Sequence, residues 1–157
     1  MPTGAQAGKI LTENETLENP ATIAKERMLE EFLLDNWENT ELGQQYDILD
    51  ENGDLFGQQY TTSDKKNRLD ILARSKDKKE WLVVELKISR PSDVAVGQTL
   101  RYMGIIKDEK ATPEQPNPHV RGVIIGLDND PKLRYALSVV PDISFYKYKV
   151  SVSLVKT

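Results

Sequence analysis

The chain has 157 residues, 38% of them hydrophobic and 29% charged, with a formal net charge of -4 and no cysteine. That length suits one domain with a single substantial core, and the missing cysteines exclude disulfides, thiolate zinc sites and a cysteine nucleophile. No apolar run approaches the ~18 residues that suggest a membrane span, and residues 1–9 lack a signal peptide's basic start and apolar stretch, so a cytoplasmic protein is expected.

Residues 1–21 are polar and aperiodic, with Gly4, Gly8 and Pro20, and are expected to form a loosely ordered leader ahead of a single domain over 22–157. From Thr22 to Glu38 the apolar residues Ala24, Met28, Leu29, Phe32, Leu33 and Trp37 recur at steps of three and four. This predicts a helix capped by Thr22 and stopped near Gly43. Residues 44–62 hold two short strand-like runs around Asn52-Gly53, a hairpin turn signal.

Arg68 to Arg74 reads as a strand, followed by the tight polar turn Asp77-Lys78-Lys79. Trp81 to Ile88 reads as a strand buried on both faces. Pro91 ends it, and Ser92 with Asp93 opens a helix to about Lys107. Pro113, Pro116 and Pro118 make 110–118 a loop. Val120 to Leu127 is a β-branched strand, and Pro131 begins a short helix to about Val139. Residues 143–154 alternate as a final strand or hairpin. The whole is a mixed α/β domain without internal repeat or dividing linker.

The charge is unevenly spread. Residues 1–64 carry 3 basic and 14 acidic side chains, whereas 65–110 carry 12 basic and 7 acidic ones. A phosphate backbone responds to the local field, so the basic centre fits a DNA-binding face despite the acidic total. A solvated turn explains Lys65, Lys66, Lys76, Lys78 and Lys79 equally well.

The informative feature is polarity where a core strand should be apolar. Side chains alternate along a strand, so Glu85 and Lys87 point the same way while Leu82, Val84, Leu86 and Ile88 take the other face. Burying such charges costs several kcal/mol per ion, by rough estimate, unless they are paired or bind a metal. Asp70 interrupts the preceding apolar run between Leu69 and Ile71. The connection between the two strands is short, so Asp70 and Glu85 are expected side by side near one sheet edge. Two carboxylates with a backbone carbonyl such as that of Leu86 make a hard oxygen site suited to Mg²⁺ or Mn²⁺. Lys87 then orients water or neutralises developing charge. The competing explanation is an ion pair between Glu85 and Lys87 or their neighbours.

The runs Arg68-Leu69-Asp70-Ile71, Val83-Val84-Glu85-Leu86-Lys87 and Gln98-Thr99-Leu100-Arg101-Tyr102 resemble the PD-(D/E)XK nucleases. Within them they resemble the nuclease domain of the NucS/EndoMS mismatch endonucleases and their stand-alone relatives; Leu69 replaces the proline of the superfamily name. The resemblance implies a restriction-endonuclease-like core, a mixed central sheet flanked by helices, and metal-dependent DNA cleavage in repair or defence. It implies Asp70, Glu85, Lys87 and Gln98 as catalytic residues, with Asp70, Glu85 and the Leu86 carbonyl on the metal. Gln98 and Tyr102 share one helix face. A first-helix glutamate often completes such sites: Glu26 and Glu30 both qualify, with Glu26 preferred. Gln59 is a further candidate, for a metal-bound water. Arg68, Arg90, Arg101 and Tyr102 are the expected DNA contacts. A homodimer or partner protein would supply specificity. The alternative is a non-cleaving DNA- or protein-binding module on the same fold. His119, Asp128-Asn129-Asp130 and the run of Tyr146, Tyr148 and Val150 read as a surface loop, a helix-entry turn and a core or dimer contact.

Overall fold

The structure is a computed structural model and describes residues 20–89, 91–128, 130–149 and 151–157. The expected leader, apart from its last two residues, therefore lies outside the described residues, as do Arg90, Asn129 and Val150. Pro20 and Ala21 already belong to the first helix, α1 (Pro20–Asp35), so Thr22 lies within the helix rather than capping it.

After α1 come a 3-10 turn (Trp37–Asn39) and a short helix α2 (Glu41–Gln45). Thr40 caps α2, its hydroxyl accepting from Gly43 N–H at 3.0 Å. Gly43 is thus inside a helix and not a stop. It is glycine because a Cβ would lie 1.8 Å from the Trp37 carbonyl oxygen. The strands are β1 (Tyr46–Ile48), β2 (Gln58–Thr61), β3 (Arg68–Ser75), β4 (Glu80–Lys87), β5 (His119–Gly126) and β6 (Ile143–Lys147). Helix α3 (Asp93–Glu109) connects β4 to β5, and α4 (Pro131–Leu137) connects β5 to β6. Ser92 caps α3, and Asp130 caps α4 with Pro131 in its first turn.

The six strands form one sheet in the order β1-β3-β4-β5-β6, with β2 also on β3. Pairing is antiparallel as far as β4 and parallel from β4 through β6. The expected hairpin between 46–49 and 56–62 does not form as a strand pair. Both segments pair with β3 instead: Ile48 opposite Ala73, then Gln58 opposite Ile71. Together they make one edge strand interrupted by a loop, which closes at its tip by the Glu51–Asp54 bridge. Leu49 N–H donates to the Leu72 carbonyl, Leu72 N–H to that of Gly57, and Gly57 N–H to that of Leu49. Consequently β3 is an interior strand, and Asp70 is not at the sheet edge.

β4 packs as the alternation predicts. Trp81 and Val83 join Leu72, Val96, Tyr102, Ile106 and Leu133 in one core. Leu82, Val84 and Leu86 join Trp37, Tyr46, Ile71, Ala73 and Ile125 in the other. The final strand stops at Lys147, short of the expected 154, because its ladder partner β5 ends at Gly126 opposite it. Among the described residues no helix is long and apolar enough to cross a membrane.

Candidate active site

The pairing of β3 with β4 stops at Ile71 opposite Val84. Continuing the register by one residue sets Asp70 opposite Glu85. The carboxylate of Asp70 takes the backbone N–H of Leu86, accepting at Oδ2 over 2.7 Å. Glu85 to Lys87 continue to pair with β5. The site thus lies at the end of one ladder on a strand still held by the other.

Four elements converge there. β3 and β4 bring Asp70, Glu85 and Lys87. β2 brings Gln59, whose Nε2 lies 3.3 Å from Asp70 Oδ1 and 2.5 Å from Glu30 Oε2. α1 brings Glu30, which is only 2% exposed.

The electrostatics are those of crowded buried anions. Burial, followed by the neighbouring charge of Asp70, pushes the Glu85 carboxyl well above the usual range. Burial also raises Asp70, against the opposing Leu86 N–H and the Lys87 ammonium. Glu30 is raised by burial and held back by the amides of Gln59 and Gln58. Lys87 is the cation acting on both Asp70 and Glu85. Oε1 of Glu85 and Oε1 of Glu30 are buried without a hydrogen-bond partner. Buried polar atoms are rarely left so, and an unfilled acceptor marks room for a donor or a cation.

The two first-helix glutamates both turn inward, one helical turn apart. Glu26 Oε2 accepts from the backbone N–H of Ile88 at 2.8 Å, anchoring α1 to the end of β4. It is Glu30, not the preferred Glu26, that reaches the Asp70 carboxylate through Gln59. Met28 and Phe32, expected in the apolar stripe, are 69% and 62% exposed, whereas Leu33 packs against the core. Glu26 and Glu30 share the inward side.

Gln98 and Tyr102 are both buried on the inner face of α3. Arg101 is half-buried with its guanidinium 5.2 Å from the Tyr102 ring centroid. Arg68 is exposed at the start of β3. Arg90 lies outside the described residues. His119 sits away from this cluster at the start of β5, where its Nδ1 is 2.8 Å from Glu80 Oε2. Tyr148 donates to the Ile88 carbonyl at 3.1 Å, tying the chain after β6 to the end of β4.

Among the described residues, no three Asp, Glu, His or Cys side chains stand preassembled as ligands of one ion. This is compatible with Mg²⁺, which keeps several waters and commonly takes only one or two protein carboxylates. The donors at hand are hard oxygens, two of them buried and unfilled, so the residues fit such a cation chemically.

No protein-family model and no curated protein matches the sequence. Solved structures do. An EndoMS protein in complex with double-stranded DNA superposes with a TM-score of 0.59 at 20% identity, covering 91% of this chain and 51% of that one. A repair endonuclease from Pyrococcus abyssi gives 0.56 at 18% identity, covering 86% and 49%. EndoMS in its apo form gives 0.55 at 22% identity, covering 81% and 47%. The chain has the fold of the EndoMS-type nuclease, as its motifs led one to expect, and spans about half the length of these proteins.

Proposed function

We propose that the chain is a Mg²⁺- or Mn²⁺-dependent DNA endonuclease, with Asp70 and Glu85 as metal ligands, together with the Leu86 carbonyl. The observation that carries this reading is the unfilled Glu85 oxygen, buried opposite Asp70 with Lys87 as the acting cation. An ion pair alone accounts for it poorly, since the carboxyls of Asp70, Glu85 and Glu30 outnumber the cations acting on them, Lys87 and, on Glu30, Arg27. Each uncompensated buried charge costs several kcal/mol, by rough estimate. The fold shared with DNA repair endonucleases supports the same reading.

When bound, a divalent cation would activate water and stabilise charge on a phosphoryl oxygen. The protein's own groups divide the remaining work. The Leu86 N–H holds one Asp70 oxygen, so the other carboxylate oxygen is aimed by a fixed backbone. Lys87 opposes the upward push of burial on Asp70 and Glu85 and offers a cation to a phosphate oxygen. Gln98, supported one turn away by Tyr102, supplies a neutral amide to orient water. Arg68, Arg90 and Arg101 contact backbone phosphates, which position the strand without reading its sequence. A homodimer or a partner protein supplies substrate choice.

The test is cleavage of single-stranded, flapped, mismatched and plain duplex DNA with and without Mg²⁺ or Mn²⁺, beside Glu85→Ala. Metal-dependent cutting lost in the variant is expected. Folded protein that binds the same DNAs and never cuts them would replace this reading by the non-cleaving module.

A further inference from the structure

Four described residues other than glycine have positive φ: Asn52, Gln59, Lys65 and Lys78. Asn52, Lys65 and Lys78 sit in turns. Gln59, at φ 48, lies inside strand β2. A β-region strand has no use for a left-handed residue, and an L side chain there is disfavoured sterically. Such an outlier persists only when its surroundings hold it, and outliers of this kind gather at functional sites.

What holds Gln59 is visible. It faces Asp70 in the β2–β3 register, between Gln58 opposite Ile71 and Tyr60 opposite Leu69. Its amide nitrogen is shared between Glu30 Oε2 and Asp70 Oδ1. Consecutive side chains on a regular strand point to opposite faces. The left-handed φ departs from that regular backbone at a residue whose amide contacts both carboxylates.

We infer that Gln59 is a positioning residue of the metal site: its amide clamps the Glu30 and Asp70 carboxylates at a set separation. This rests on the nuclease reading above. The chemistry suits a glutamine. A neutral amide offers two N–H donors, enough to bridge two anions, and adds no charge to compete with a cation. A lysine or arginine would bridge them and also neutralise them. With the clamp on Oε2, the unfilled Oε1 of Glu30 stays available, which draws this glutamate into the site as a ligand or a holder of bound water.

The experiment titrates Mn²⁺ into the full chain and into Gln59→Gly and Gln59→Asn, reading binding by water-proton relaxation, folding by thermal unfolding, and steady-state DNA cleavage. Glycine and asparagine both accept positive φ, so both variants should remain folded. Neither side chain spans the two carboxylates. Mn²⁺ affinity and kcat are expected to fall about 10–100-fold, the range for groups that orient metal ligands, with KM for DNA unchanged. A merely structural Gln59 would lower the melting temperature and leave affinity per folded molecule intact; that result, or wild-type kcat in either variant, overturns the inference. A wild-type chain that takes up no Mn²⁺ and cuts no DNA removes the nuclease reading itself, and the clamp with it.

Discussion

The carboxylate of Asp70 accepts the backbone N–H of Leu86 at 2.7 Å, occupying the place where a strand partner would otherwise bond. One side chain thereby ends a ladder, fixes its own orientation and leaves its second oxygen for other work. A hydrogen bond from a backbone group to a charged acceptor is worth about 1.5–3 kcal/mol, enough to offset part of the cost of burying the anion.

Asp70→Asn separates those tasks. The amide oxygen still accepts from Leu86, so the variant should fold with a melting temperature close to that of the wild type. Cleavage should drop by at least about 100-fold, the scale set by losing one preorganised electrostatic partner. Thermal unfolding and cleavage of the same preparation check both halves.

Glu85 destabilises the metal-free protein above the ordinary carboxylate range. Its folded pKa is raised by burial and by Asp70. A raised acid favours the protonated folded form, so its contribution is fully present below the unfolded pKa and is lost as pH climbs through the folded one. Metal-free wild type should therefore lose stability relative to Glu85→Gln as pH rises above the ordinary glutamate range. At neutral pH the variant should melt higher, by about 2–4 °C for each kcal/mol relieved. Adding Mn²⁺ should raise the wild type and not the variant. Melting curves across pH, with and without the ion, decide it.

Glu26 and Glu30 should fail in different ways. Glu26 holds the Ile88 N–H, so Glu26→Ala should cost about 1–3 kcal/mol of stability by loosening α1 from β4. Glu30→Gln should keep or gain stability, because a raised buried acid is replaced by a neutral amide, while metal-dependent cleavage declines. Denaturant melts beside kcat separate the two. Equal loss of kcat per folded molecule in both variants would restore Glu26 as a site residue.

Gly57→Ala should damage the fold through the backbone of the sheet. A Cβ there would stand 2.2 Å from the Leu72 carbonyl oxygen and 2.7 Å from Ile48 Cγ2, at the junction that lays β1 and β2 along β3. Overpacking of that kind costs about 1–3 kcal/mol. The measurement is the urea midpoint, expected to fall with little change in slope.

The strands that carry charge within apolar runs were legible in the sequence because their signal is local. Glu85 and Lys87 break the pattern of β4, and Asp70 that of β3, whatever surrounds them. Gln98 and Tyr102 could be placed on one helix face from their spacing alone. Helices α3 and α4 were equally readable, since Ser92, Asp130 and Pro131 act through their own first turns.

The partners of those residues were not legible, because they depend on pairing across distance. Residues 46–49 and 56–62 read as a hairpin around Asn52-Gly53. Which strand each joins was settled by β3, whose long apolar run offers both a continuous buried ladder. That choice alone puts Gln59 across from Asp70. The first helix shows the same limit. Its repeat of Met28, Leu29, Phe32 and Leu33 fits an apolar stripe; Leu33 does pack on the core, but Met28 and Phe32 face outward and Glu26 and Glu30 turn inward. Unsatisfied backbone at Ile88 and the site's amides gave them partners. The sequence by itself thus determined which charged residues lie on core strands. Only the tertiary structure decided which glutamate and which glutamine meet them, since hydrogen-bond partners of buried anions are chosen by chain segments that arrive from elsewhere.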